Sequence, residues 1–143
     1  MFKNFDITHY LVQHPVRIGP DANLLEAVDL FVSYRISGLC VVDDDNRLLG
    51  VLSELDCLRG ILSSTYHDSG VGSVAEFMTA VRDVQTAKAT ENIVDIASEM
   101  LATKHRRWPV LDDDGVLVGQ ITVRQILRAL KEFSRTQDQT ESG

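Results

Sequence analysis

Gly50-Val51-Leu52-Ser53-Glu54-Leu55-Asp56 is a short apolar run that leaves a glycine, ends on a hydroxyl residue and meets an acid three positions later. It reads as a strand turning into a helix. The pattern returns as Gly119-Gln120-Ile121-Thr122-Val123-Arg124-Gln125, and Gly119, Thr122 and Gln125 each stand 69 positions beyond Gly50, Ser53 and Asp56. A strand-to-helix turn that is repeated at constant spacing implies a repeated fold.

The flanking sequence supports this. Before the first turn, residues 39–42 and 48–52 are apolar strands parted by Asp43-Asp44-Asp45-Asn46-Arg47. These turn residues suit a hairpin, so the strands are expected to be antiparallel neighbours. Residues 23–34 carry Leu24, Val28 and Phe31 at helical spacing, with Leu25 and Val32 widening the stripe, and Asn23 with Glu26 forms a capping pattern. Val16-Arg17-Ile18 is a short strand, and residues 6–13 are a short leading helix ended by His14-Pro15. After the turn, residues 53–62 form a helix with Leu55, Leu58 and Leu62 on one face. The series then restarts: a leading helix at 73–78, a strand at 84–86, a helix at 92–103, an acid turn Asp112-Asp113-Asp114-Gly115 between two strands, and a last helix at 123–133 with Ile126, Leu127 and Leu130 inward. The chain is thus two β-α-β-β-α units, 6–63 and 74–133, with a polar linker at 64–73. The polar tail 134–143 lacks apolar periodicity and is expected to be disordered. Each unit is about half of a typical domain, so the two are expected to pack about a pseudo-twofold axis as one α/β (α+β) module.

Composition narrows the function. The 143 residues are 44% apolar and 24% charged, which suits a globular chain with a real core. No apolar run approaches the roughly 20 residues that span a bilayer, and the N-terminus lacks a basic segment followed by an apolar one, so a cytoplasmic protein is expected. A net charge of −7 argues against nucleic acid polymers and anionic membranes as partners. Cys40 and Cys57 lie in apolar runs and read as buried, reduced thiols. His9, His14, His67 and His105 make no metal-ligand or nucleophile spacing with them, so no enzyme is expected.

The turn itself has two readings. Ser-x-x-Asp and Thr-x-x-Gln are both capping boxes, in which the hydroxyl accepts from the N–H three residues on and the third side chain reaches back. The same geometry also binds ligands. A helix N-terminus attracts anions, and a carboxylate on its first turn can accept both hydroxyls of a ribose. His105-Arg106-Arg107-Trp108-Pro109 likewise reads as a basic helix end or as a phosphate clamp, since arginine offers paired donors. Trp108 reads as a core or interface residue on which a base could also stack.

Two such units, together with Ile36-Ser37-Gly38-Leu39-Cys40-Val41-Val42-Asp43 and Arg107-Trp108-Pro109-Val110-Leu111-Asp112, resemble the CBS domain pair, or Bateman module. The resemblance covers nearly everything from Ile7 to Glu132. It implies two clefts between paired repeats that bind adenosine-containing ligands, a homodimer of modules, and a regulatory role without catalysis. By position it makes Ser53 and Asp56 the hydroxyl contact and ribose acid of one cleft and Thr122 the hydroxyl of the other. The base would be held by Val16, Arg17 and Ile18 with Ile36, Ser37 and Gly38, and by Gln85 and Thr86 with His105, Arg106 and Arg107, of which Arg106 and Arg107 would meet phosphates. Gln125 stands where the second acid belongs, and Cys40 replaces the proline found at Pro109. The ligands implied are AMP, ADP or ATP, then NAD(H) or S-adenosylmethionine; a separate regulated protein is a further implied partner. The alternative is a structural dimerisation module whose ligand sites are vestigial.

Overall fold

A computed structural model describes residues 7–67 and 70–142, which form two small sheets and five α-helices in a mixed α+β architecture. The chain gathers into two compact units that do not follow the sequential repeats. One comprises Pro15–Gln85 with Asp114–Leu117; the other comprises Met1–His14, Thr86–Asp113 and Val118–Gly143. The short leading element before each repeat therefore packs in the core of the other.

In the first unit, β1 (Arg17–Ile18), β2 (Gly38–Val42), β3 (Leu48–Ser53) and β4 (Thr79–Ala80) form a sheet in that order. β1 runs parallel to β2, and β2–β3 is the expected antiparallel hairpin. Its turn is closed by Asp43, whose Oδ1 accepts from the N–H groups of Asp45 and Arg47 at 2.9 Å each. The segment at 114–117 joins this turn: Leu48 N–H donates to Gly115 O at 3.1 Å and Leu117 N–H to Asn46 O at 2.9 Å. α1 (Leu24–Tyr34) starts at Asn23, whose side chain accepts from Glu26 N–H at 3.1 Å. It ends at Arg35, which turns into the left-handed region at φ 53°. α2 spans Glu54–His67 and α3 spans Val74–Phe77. Leu24, Ala27, Phe31, Leu39, Val41, Leu52, Cys57 and Val74 close the core.

In the second unit, β5 (Ala87–Lys88), β6 (Arg107–Leu111) and β7 (Leu117–Thr122) lie in that order beside α4 (Ile93–Thr103) and α5 (Val123–Ser142). A 3-10 turn at Ile7–Tyr10 leads in, and Ile7 buries with Ile93, Ile96, Met100, Trp108, Val110, Ile121 and Ile126. Val12 and Gln120 exchange backbone hydrogen bonds of 2.8 and 3.0 Å, which fixes this leading segment against β7.

Several expectations need correction. α2 continues to His67, so residues 64–67 of the expected linker are helical; 68 and 69 lie outside the described residues. α5 continues to Ser142, so residues 134–142 are helical where a disordered tail is expected. No glycine or proline interrupts them before Gly143, and Arg, Gln and Glu are good helix formers even without an apolar stripe. The strand expected at 84–86 falls at Ala87–Lys88, because a 3-10 turn at Val81–Asp83 precedes it. The inward face of α2 is carried by Cys57, Gly60 and Ile61, while Leu55 is 74% exposed and Leu58 and Leu62 are also exposed. A Cβ at Gly60 would lie 2.3 Å from Leu24 Cδ1, so the glycine lets α1 and α2 approach. Leu127, expected inward, is 61% exposed. No helix among the described residues is long and apolar enough to cross a membrane.

Candidate functional site

The turn from β3 into α2 is fully capped. Asp56 N–H donates to Ser53 Oγ and Ser53 N–H donates to Asp56 Oδ2, each at 3.0 Å. This pair fixes the carboxylate over the start of a 14-residue helix, where the helix dipole favours negative charge. The other carboxylate oxygen is also engaged: Arg59 Nη2 donates to Asp56 Oδ1 at 2.6 Å. Sequence reasoning missed Arg59, although an arginine three residues after an acid on a helix is a recognisable ion-pair spacing.

The candidate loop at 36–38 meets this turn. Ser37 O accepts from Glu54 N–H at 3.0 Å, and Gly38 pairs with Ser53 across β2 and β3. Ser37, Gly38, Ser53 and Asp56 are therefore brought together. Ile36 packs against the core, its N–H on Phe31 O at 3.3 Å. The first strand contributes less. Arg17 and Ile18 pair with Cys40 and Val41, further along β2 than Gly38. The Arg17 guanidinium donates to Asn46 Oδ1 in the hairpin turn beyond Val42, so its charge is committed away from Ser53. Ile18 is buried in the core and Val16 packs against it. Cys57, next to Asp56, donates to Leu24 O at 3.4 Å; burial and then the Asp56 charge push its thiol pKa up.

The second turn, in the other unit, is capped by half. Gln125 N–H donates to Thr122 Oγ1 at 3.2 Å, but Gln125 Oε1 is buried without a partner. The amide thus does not complete the capping box that its position suggests. Arg106 O accepts from Val123 N–H at 2.9 Å, the counterpart of Ser37 and Glu54 at the same 69-residue offset. Lys104, His105 and Arg106 edge a groove of about 400 Å³ between α4 and α5, with apolar walls that include Met100, Leu101, Ile126 and Leu127. Arg107 is exposed at the start of β6, and Thr86 is half-buried just before β5. Trp108 is a core residue, fully buried, with Nε1 unpartnered. Arg128, the counterpart of Arg59, pairs with Glu132 at 3.5 Å, and Glu132 also accepts from Tyr10 OH at 2.6 Å. No cluster of His, Cys, Asp or Glu among the described residues could hold a metal ion.

Known proteins resemble the chain throughout. A family model of the CBS domain matches residues 6–63 and 74–132. Inosine-5'-monophosphate dehydrogenase of Aquifex aeolicus is 31% identical over 131 residues, which are 90% of this chain and 25% of that enzyme. The chain thus corresponds to a minor part of the dehydrogenase. The chloroplastic CBS domain-containing protein CBSX1 of Arabidopsis thaliana is 32% identical over 144 residues, covering 85% of this chain and 61% of that protein. The crystal structure of CBSX2 of the same plant, in complex with AMP, has a TM-score of 0.78 at 27% identity and covers 91% of this chain and 98% of its own.

Proposed function

The chain belongs to the CBS domain family, and from that premise we propose that it is a regulatory module binding an adenosine nucleotide of the AMP, ADP or ATP class at the Ser53–Asp56 turn. The observation that carries this is the reciprocal Ser53–Asp56 pair, which holds a carboxylate in fixed orientation at a helix N-terminus beside Ser37 and Gly38. Asp56 takes the ribose hydroxyls, while the positive end of the α2 dipole faces the phosphate. The AMP complex of CBSX2, similar over 91% of this chain, supports the ligand class. The module carries no chemical step of its own and acts by reporting ligand to a regulated protein. Calorimetry with AMP, ADP, ATP, NADH and S-adenosylmethionine tests the reading. Folded protein that binds none of them overturns it, and binding that survives Asp56→Ala moves the site elsewhere.

The partner in assembly is a second copy. Leu55, Leu58 and Leu62 on α2, Leu101 on α4 (82% exposed) and Leu127 on α5 present apolar side chains to solvent. Large apolar side chains left exposed in this way on each unit support an interaction face. Light scattering on the wild type and on Leu55→Asp and Leu101→Asp tests this; a wild-type monomer rejects it. If the dimer forms and no nucleotide binds, the structural reading with vestigial sites replaces the sensory one.

A further inference from the structure

Arg59 and Arg128 occupy equivalent places 69 residues apart, yet they take different partners. Arg59 reaches back three residues to Asp56; Arg128 reaches forward four to Glu132. The sequence explains the difference. The second helix has Gln125 in place of the acid and gains Glu132, while the position matching Glu132 in the first helix is Ser63. Each arginine therefore has one carboxylate three or four positions away on its helix, and in the first copy that carboxylate is the candidate ribose acid.

The Asp56 side chain is 13% exposed, and its Oδ2 is held by Ser53 N–H. Oδ1 is left for a ligand, and Arg59 sits on it at 2.6 Å from a side chain that is itself 65% exposed. A sugar that takes Asp56 competes with this guanidinium for the same oxygen. A neutral nucleoside leaves the displaced arginine without an anion. A nucleotide brings a phosphate to the start of α2, within reach of a guanidinium that already touches Asp56, and arginine pairs well with phosphate.

Resting on the reading that Asp56 holds the ribose, we infer that Arg59 is a specificity-determining residue that closes the site to neutral nucleosides and passes its charge to the phosphate of anionic ones. The ligand class is thereby narrowed to nucleotides over adenosine.

The test is calorimetry of AMP and adenosine on the wild type, Arg59→Gln, Arg128→Gln and Asp56→Asn, with folding checked by circular dichroism. The wild type should prefer AMP by at least about tenfold, as charge-assisted phosphate contacts require. Arg59→Gln should tighten adenosine by about threefold, the scale of an exposed ion pair removed from competition, and weaken AMP. The AMP-to-adenosine ratio therefore falls, while Arg128→Gln leaves it unchanged. A ratio unaltered by Arg59→Gln, or lowered equally by Arg128→Gln, overturns the role of Arg59 while the ribose reading stands so long as Asp56→Asn loses both ligands. Failure of the wild type to bind either ligand overturns the role of Arg59, and failure to bind ADP, ATP, NADH and S-adenosylmethionine as well overturns the ribose reading.

Discussion

Ser53 and Asp56 each accept the other's backbone N–H at 3.0 Å, whereas Thr122 accepts from Gln125 at 3.2 Å with no bond in return. The two turns share a cap and differ in its reciprocity. A carboxylate used both for capping and for binding has two separable consequences. Ser53→Ala removes the acceptor for Asp56 N–H and should cost about 1 kcal/mol of stability. Asp56→Ala should cost a similar amount and, in addition, weaken a bound nucleotide by at least about tenfold, because hydrogen bonds to a charged group are the stronger kind. Urea unfolding and calorimetry on the same two variants separate these effects. A nucleotide affinity untouched by Asp56→Ala would leave the carboxylate with capping alone.

At the second turn the reverse substitution is informative. Gln125→Asp places a short carboxylate where Gln125 Oε1 now lies buried and unpartnered. The first turn shows that an Asp three residues after the hydroxyl reaches the cap N–H. Completing the box and adding a negative charge at the start of α5 should stabilise the protein by about 0.5–1 kcal/mol. A raised urea midpoint with an unchanged slope is the expected result; a lowered midpoint would mean that the buried amide makes packing contacts outweighing the missing hydrogen bond.

The two glycines that open the repeated stretches are not equivalent. A Cβ at Gly50 would stand 2.3 Å from Thr79 O and 2.9 Å from Met78 Sδ, in the β3–β4 contact where Gly50 pairs with Ala80. A Cβ at Gly119 would meet Leu11 Cβ and Val12 O at 3.1 Å. Gly50→Ala must therefore move backbone, at a cost of about 1–3 kcal/mol, and Gly119→Ala should cost less. Thermal melts of the two variants test the order, and equal losses would contradict the closer approach at Gly50.

Much of this architecture is legible in the sequence because the repeat supplies its own control. A constant 69-residue offset makes Thr122 the counterpart of Ser53 and Gln125 that of Asp56, and the hairpin follows from the acid turn at 43–47. Periodicity alone does not say which apolar face of α2 is inward. Leu55, Leu58 and Leu62 make the more obvious stripe, yet Cys57, Gly60 and Ile61 face the core, and Gly60 makes room for Leu24 of α1. The commitment of Arg17 to Asn46 is hidden for a different reason: the partner lies 29 residues away, in a hairpin turn beyond α1 and β2. Arg59 is legible as a helix pair and is easily overlooked, because a ribose contact already accounts for the acid. The exchange of leading segments between cores, Ile7 into one and Val74 into the other, leaves no local sequence signal.

The exchanged leading segment also carries a pH dependence. Tyr10 donates to Glu132 at 2.6 Å from the 3-10 turn to α5. That bond, ahead of the smaller influence of Arg128, lowers the Glu132 pKa below its ordinary 4.5 and, ahead of desolvation, raises that of Tyr10 above its ordinary 10.0. For Glu132 the depressed value means that its contribution is present above about pH 4.5 and is lost as pH falls through the folded value. For Tyr10 the raised value means that the bond is intact below about pH 10 and is lost as pH rises through the folded value. Tyr10→Phe keeps the ring in place and removes the donor, so its deficit against the wild type should be greatest between these limits and shrink at both ends. Urea midpoints of the two proteins across that range provide the measurement, and a deficit independent of pH would assign the effect of Tyr10 to packing.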